Sequence, residues 1–97
     1  MKASVAAAAE QELTQAALFY AQRANAELGR ALIAEFERSV DLLCSHPMLG
    51  ATWRGPTRRL PLRRFPYSIV YLVHDAELRI VAFAHQRRKP GYWRGRS

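Results

Sequence analysis

The sequence lacks the residues from which several kinds of functional site are built. Cysteine occurs once, as Cys44 in an apolar helical stretch, which excludes an intramolecular disulfide and favours a reducing cytoplasm as the location. No paired carboxylates stand at metal-ligand spacing, and His46 and His74 fall near predicted turns, where we interpret both as structural. We therefore expect no metal and no cofactor.

Long apolar runs are missing as well. The run from Ala6 to Ala9 is short, and Glu10 and Glu12 follow it at once, so it does not have the pattern of a secretion signal. A membrane-spanning helix needs about 20 predominantly apolar residues, and no stretch of this sequence approaches that length. We expect no membrane partner.

Lysine is scarce, and so is acidic charge in the second half. Lys2 and Lys89 are the only lysines, so thirteen of the fifteen basic residues are arginine. Residues 1–50 carry four basic and six acidic side chains (−2), and residues 51–97 carry eleven and two (+9), which together give the net charge of +7. Arginine suits bidentate contact with phosphate and carboxylate, so the second half predicts a polyanionic partner. A GC-rich genome is the alternative reason for the arginine.

Two amphipathic helices are predicted in the first half. Good helix formers with apolar residues at helical spacing predict a helix over about residues 7–26. A second apolar stripe predicts a helix over about residues 28–45, which Pro47 and Gly50 should end. Because the connection around residues 25–29 is short, the two helices should pack as an antiparallel hairpin.

The second half has the texture of a β-sheet. β-Branched and aromatic residues dominate residues 67–73 and 78–83, with a hairpin turn at residues 75–77. Residues 58–64 are predicted to add an edge strand, because Pro61 lies within them, and residues 2–5 a short opening strand. The chain is thus predicted to form one α+β domain over residues 1–97, in the order β-α-α-β-β-β. An antiparallel sheet of three to four strands would be covered on one face by the helical hairpin.

Four stretches form a distinctive combination that spans nearly the whole chain. They are Ala9-Glu-Gln-Glu-Leu13 with Phe19-Tyr20; Leu28-Gly29 leading through Phe36 to His46-Pro47 and Gly50; Arg63-Arg-Phe-Pro-Tyr67-Ser-Ile-Val-Tyr71; and His85-x-Arg87-Arg88-x-Pro90-Gly91-Tyr92-Trp93. In this order and at this chain length, the combination resembles the RelE/ParE superfamily of bacterial toxins from type II toxin-antitoxin modules.

The resemblance implies a microbial-RNase-like α+β fold and a toxin that a cognate antitoxin holds inactive in a hetero-oligomer. We expect the antitoxin to lay a disordered, acidic, amphipathic segment along the helical hairpin and the sheet edge, folding as it binds. The expected antitoxin contacts are Leu13, Tyr20 and Phe36.

The superfamily has two activities, and the resemblance favours one of them. RelE-like members cut mRNA in the ribosome through the ribose 2′-hydroxyl, and ParE-like members poison DNA gyrase. Ser68 stands where several well-known ribosome-dependent nucleases carry an arginine in mid-strand, and no lysine cluster is present. The chain therefore resembles the ParE-like branch more, with a ribosome-dependent mRNA endonuclease as the alternative.

The candidate site residues lie in the basic half. Metal-free RNA cleavage needs a base, an acid and cations around the phosphorane, and the side chains of the right types are His85, Arg87 and Tyr92. The expected target-binding residues are Arg63, Arg64, Arg87, Arg88, Tyr92 and Trp93.

Each candidate also has a structural interpretation. His85 could anchor the tail by a hydrogen bond to backbone, Tyr92 and Trp93 could pin the tail onto the domain, and Arg63 or Arg64 could pair with Glu35 or Glu37.

The last residues predict that the chain turns away from the sheet after its final strand. Pro90 and Gly91 should break the final strand, so that residues 92–94 swing clear of the sheet. Arg87 and Arg88, adjacent at a strand end, should point to opposite faces, so only one of them can face a functional surface. We expect that residue to be Arg87, with Arg88 paired locally or in solvent.

Overall fold

A computed structural model of the chain describes residues 1–89 and 91–96. Over these residues the order of elements is strand, helix, helix and four strands, which confirms the predicted α+β class and its helical hairpin. The elements are β1 (Lys2–Val5), α1 (Ala7–Arg23), α2 (Ala26–Ser45), β2 (Ala51–Thr52), β3 (Arg58–Pro61), β4 (Tyr67–His74) and β5 (Glu77–His85).

The two helices pack closely against each other. Asn25 begins α2, because its side-chain oxygen accepts a hydrogen bond from the Leu28 backbone N–H at 2.8 Å, and this cap places the boundary two residues before the predicted one. Gly29 lies on the inner side of the turn, where an added Cβ would stand 2.6 Å from the Ala17 carbonyl oxygen. The hairpin therefore depends on a glycine at this crossing.

The sheet has five strands in the order β1-β5-β4-β3-β2. The prediction of an antiparallel sheet of three to four strands needs correction on two points. The opening strand β1 runs parallel to β5 at one edge, and the two-residue strand β2, which was not predicted, lies at the other. Local sequence patterns do not reveal which strands pair, because pairing depends on contacts between distant residues.

A β-bulge in β5 changes which of its residues face the helices. Val70 is opposite Ala82, but Tyr71 is opposite Ile80, so Val81 is the extra residue. Ile80 and Phe83 therefore lie on the face covered by the helices, whereas Val81 and Ala82 lie on the other face. We call these the helix face and the outer face.

The helix face carries the main core. It buries Leu32 and Phe36 from α2 against Ile69, Tyr71 and other strand residues, as the period-two pattern of β4 predicts. Phe36 meets Phe83 edge to face, with ring centroids 5.5 Å apart. The face therefore unites both helices with the centre of the sheet.

The outer face is covered in part by the end of the chain. Trp93 is only 5% exposed and packs in one cluster with Val70, Val81, Ala82 and Ala84. The prediction that residues 92–94 swing clear of the sheet is wrong for this tryptophan. The alanines leave room for a large ring on the sheet, and burial of that ring favours the packed tail. Pro90, the predicted break, lies outside the described residues.

Candidate functional site

The outer face holds a cavity of about 240 Å³ between the sheet and the residues that follow β5. Its floor includes Ser68 and Ala84, which are cross-strand partners on β4 and β5. Their short side chains give the cavity its depth. We call this the outer cavity, and its remaining lining residues are Trp53, Arg59, Val70, His85, Gln86, Arg87, Arg88, Lys89 and Trp93.

Arg59 reaches this cavity from β3. It pairs with Val70 of β4, and its guanidinium carbon lies 3.9 Å from the centre of the Trp53 ring. Trp53 is held there by a hydrogen bond from its backbone N–H to the Thr57 carbonyl at 2.8 Å, which closes the loop between β2 and β3. Arg59 was not predicted as a site residue from the sequence, because its place beside Trp53 depends on this hairpin.

The neighbouring Arg58 lies on the other side of the strand and makes different contacts. Its Nη1 donates to the carbonyl oxygens of Gly50 at 2.7 Å and of Met48 at 3.3 Å. Adjacent strand residues point to opposite faces, so two consecutive arginines serve two purposes. That alternation is the one sequence signal that could have separated Arg59 from Arg58.

His85 ends β5 and fixes the turn that follows. Its Nδ1 accepts a hydrogen bond from the Arg87 backbone N–H at 3.1 Å, and its ring meets Tyr67 edge-on at 5.1 Å. The structural interpretation of His85, anchoring by a hydrogen bond to backbone, matches this geometry. A ring nitrogen that accepts this bond carries no proton, so the neutral tautomer holds its proton on Nε2.

Arg87 and Arg88 lie in that turn rather than on the strand. The Arg88 backbone N–H donates to the His85 carbonyl at 2.8 Å, so the premise of strand alternation does not apply, and both residues line the outer cavity. The two residues differ in their contacts. Both are exposed, but the Arg88 guanidinium stacks on the Tyr92 ring at 4.0 Å.

Tyr92 is not among the residues that line the outer cavity. It lines a neighbouring cavity with Glu12, His85 and Arg88, and the guanidinium carbon of Arg96 lies 5.1 Å from the centre of its ring. Burial, reinforced by the Glu12 carboxylate, raises the pKa of Tyr92 well above its usual value. A phenol held neutral in this way does not act as a base at neutral pH. The structure thus brings His85 and Arg87 together at the outer cavity, and His85 and Tyr92 together at the neighbouring one.

The helix α2 and the edge of β3 form a groove of about 510 Å³ on another side of the molecule. Glu35 accepts a hydrogen bond there from the Arg63 backbone N–H at 2.6 Å. The predicted partners Glu35 and Arg63 therefore meet, but through the backbone amide and not through the guanidinium. We call this the edge groove; its lining residues are Glu35, Arg38, Ser39, Leu42, Leu49, Leu60, Pro61, Arg63 and Arg64.

The expected antitoxin contacts lie mostly inside the molecule. Phe36 is 6% exposed and belongs to the core, and Leu13 and Tyr20 are partly buried against it. The large apolar side chains that stay exposed are other ones, and those nearest the edge groove are Leu42, Met48 and Leu49.

Comparison with known proteins decides the family. The family model for the ParE toxin of the type II toxin-antitoxin system, parDE, matches residues 4–90. The chain belongs to the ParE toxin family. Among curated proteins, none matches the chain significantly.

The fold of this ParE-family toxin is similar to that of a solved structure described as the chromosomal ParDE TA system from P. aeruginosa. The two chains share 20% sequence identity and superpose with a TM-score of 0.78, over 88% of this chain and 95% of the other. At that identity the likeness concerns the fold.

Two further properties of this ParE-family toxin bear on its site. Among the described residues, no group of three or more His, Cys, Asp or Glu side chains is arranged to hold a metal ion. No helix in the described ranges is long and apolar enough to cross a membrane. The charged and aromatic side chains that line the outer cavity are three arginines, a lysine, a histidine and two tryptophans.

Proposed function

We propose that this ParE-family toxin inhibits growth by poisoning DNA gyrase and that a cognate antitoxin neutralises it. The observation that carries the proposal is family membership over residues 4–90. DNA gyrase and the antitoxin are both expected in the cytoplasm, which is also the expected location of this chain.

The arrangement of the catalytic candidates supports the ParE-like activity over mRNA cleavage. General acid–base cleavage of RNA needs two proton-transfer groups that converge on one phosphate. Nδ1 of His85 is engaged with the Arg87 backbone N–H, and the Tyr92 phenol, which shares a neighbouring cavity with His85, is kept neutral by its raised pKa. Ser68 supplies a hydroxyl on the floor and no charge. A ribosome-dependent mRNA endonuclease remains the second candidate, because His85 and Arg87 still face one cavity.

A supercoiling assay with purified gyrase tests the target. We expect the toxin to inhibit supercoiling, and Arg87→Ala to remove the inhibition while the melting temperature stays nearly unchanged, because Arg87 is exposed. Arg88→Ala should have less effect, since Arg88 is engaged with Tyr92. Codon-specific mRNA cleavage on translating ribosomes, with gyrase unaffected, would establish the nuclease activity instead.

The edge groove supports the antitoxin part of the proposal. It combines apolar side chains with Arg38, Arg63 and Arg64, whereas Glu35, its one acidic side chain, is buried. An acidic amphipathic segment would cover the exposed leucines and neutralise the arginines at the same time. The groove also adjoins residues 60–61 of β3, beyond the two residues that pair with β2, so it coincides with the expected sheet edge.

Co-expression with the product of the adjacent reading frame tests the partner. We expect a stable complex in which Leu42→Asp and Leu49→Asp weaken binding, because each places a charge among apolar contacts and repels an acidic segment. Both leucines are exposed, so neither change should disturb folding. A toxin that causes no growth arrest alone and never co-purifies with that product would contradict the proposal.

A further inference from the structure

The outer cavity concentrates positive charge without compensation. Four of its lining side chains are cationic, namely Arg59, Arg87, Arg88 and Lys89, and no aspartate or glutamate is among the described residues that line it. Like charges gathered around one concave space repel one another, and low-dielectric walls strengthen that repulsion. An anion in the cavity would offset this repulsion and be attracted by all four cations.

Arg59 is half-buried, and one of its guanidinium donors is buried without a hydrogen-bond acceptor. Its Nε is inaccessible to solvent and has no hydrogen-bond partner within the described residues, and its guanidinium instead stacks on Trp53 at 3.9 Å. A buried charged donor without an acceptor is costly, and native proteins rarely keep one unless a ligand or ion satisfies it. Stacking on the indole holds the guanidinium plane in place, so the donors are ready before any ligand arrives.

The lining favours a phosphate group over a carboxylate. A carboxylate offers two oxygens and is satisfied by a single arginine fork, whereas a phosphate offers more oxygens to several cations at once. Here Arg59 lies at the floor, Arg87 and Lys89 lie at the rim, and the Ser68 hydroxyl is a further donor type. Trp53 and Trp93 supply apolar walls of the kind that pack against a sugar or base next to the phosphate.

From this geometry we propose that the outer cavity binds a phosphate group of a single nucleic-acid strand, with the Arg59 guanidinium as its anchor. A single strand fits a recessed site better than a duplex does, because its backbone can bend a phosphate inward while its bases splay. The inference does not depend on gyrase being the target, since it concerns only what the cavity holds.

Binding of a fluorescein-labelled single-stranded oligothymidylate to the full-length chain, followed by fluorescence anisotropy, tests the proposal. We expect Arg59→Gln to weaken binding about tenfold or more, the usual cost of a lost charged hydrogen bond. The slope of log K against log salt should become shallower by about 0.7 for the phosphate contact that is lost. Arg30→Gln is the matched control, because Arg30 is exposed on α2 and its loss lowers the net charge by the same amount.

Competition identifies the chemistry that the cavity recognises. We expect thymidine monophosphate and, more weakly, inorganic phosphate to displace the labelled strand, and acetate at equal ionic strength not to do so. Equal losses in Arg59→Gln and Arg30→Gln would overturn the proposal in favour of diffuse attraction. Displacement by acetate or by an acidic peptide, but not by phosphate, would overturn it in favour of a carboxylate site. Tighter binding of duplex than of single-stranded DNA would overturn the preference for a single strand.

A second variant guards against misfolding of the first. If circular dichroism shows that Arg59→Gln does not fold, Arg87→Gln takes its place, because that side chain is exposed at the rim and its loss should not disturb the core. We expect the variant Arg87→Gln to reduce affinity and salt slope in the same direction as Arg59→Gln. Unchanged affinity in this variant, with thymidine monophosphate failing to compete, would refute the proposal.

Discussion

Single side chains of this toxin hold the loops on which its surfaces depend. The Tyr71 hydroxyl accepts a hydrogen bond from the Gly50 backbone N–H at 2.9 Å and donates one to the Pro47 carbonyl at 2.8 Å. Gly50 has to be glycine there, because an added Cβ would lie 2.7 Å from that hydroxyl. One phenol thus ties the end of α2 to the centre of the sheet.

Removal of that hydroxyl should be costly. Tyr71→Phe leaves the buried Gly50 N–H without its acceptor, so we expect the free energy of unfolding to fall by about 1 to 3 kcal/mol. Tyr67→Phe is the matched control, because within the described residues the Tyr67 hydroxyl takes part in no hydrogen bond, and it should change stability by about 0.5 kcal/mol at most. Urea unfolding of both variants measures the difference, and equal losses would show that the Tyr71 hydroxyl is not special.

The tyrosines also predict how stability depends on alkaline pH. Burial raises the pKa of Tyr67, Tyr71 and Tyr92 above the usual value of 10.0, so the folded chain favours the neutral phenol. Their contribution is fully present below about pH 10 and is lost as the pH rises beyond it, because the unfolded chain then ionises first.

Tyr92→Phe isolates the largest of these contributions. We expect the melting temperature of the wild type to fall more steeply above about pH 10 than that of Tyr92→Phe, since phenylalanine cannot ionise. Thermal melts at several pH values measure the two slopes. Parallel curves for the two proteins would contradict a raised Tyr92 pKa.

At the scale of elements, the end of the chain is fastened to α1 and to an unpaired part of β5. Beyond its pairing with β1, β5 presents the Phe83 N–H, which donates to Oε1 of Glu12 at 3.1 Å, and the Val81 carbonyl, which accepts from Nη1 of Arg96 at 3.1 Å. Arg96 and Glu12 then pair with each other at 2.9 Å. These two side chains cover a strand edge that would otherwise be open.

Loss of the Arg96–Glu12 ion pair should release Trp93 from the outer face. Both side chains are partly buried, so we expect Arg96→Ala to lower the free energy of unfolding by about 1 to 2 kcal/mol, between the values for surface and buried pairs. We also expect a red shift of tryptophan emission, because Trp93 gains contact with water. Glu37→Gln, an exposed acid on α2, is the control that should show neither change, and an unshifted emission in Arg96→Ala would mean that Trp93 holds its place unaided.

The whole molecule shows which kinds of inference a sequence supports. Both helices, β4 and β5 follow from periodicity and propensity over eight or more residues, and they were predicted within a few positions. The two-residue β2 has no period of its own, and the partner of β1 is set by the path of the chain. Trp93 could not be assigned, because an aromatic near a chain end suits a core and a binding surface equally. The place of Arg59 in the outer cavity could not be predicted either, because it depends on the β2–β3 hairpin that brings Trp53 beside it.

Charge distribution is the property of the whole molecule with the clearest kinetic consequence. The chain carries a net charge of +7, and the edge groove presents Arg38, Arg63 and Arg64 around exposed leucines. Long-range attraction acts before contact and is screened by salt, whereas apolar burial acts only after contact. An acidic antitoxin should therefore be drawn to the groove by charge and retained there by the leucines.

Stopped-flow measurement of antitoxin association can separate these two effects. We expect the association rate constant to fall steeply with ionic strength, while the dissociation rate constant changes little. Arg64→Gln should lower the association rate more than Arg94→Gln, which removes the same charge from an exposed residue beside the outer face. Leu42→Ala should instead raise the dissociation rate, because it removes apolar contact. An association rate that is insensitive to salt, or equal effects of the two arginine variants, would show that the antitoxin is not steered to the edge groove.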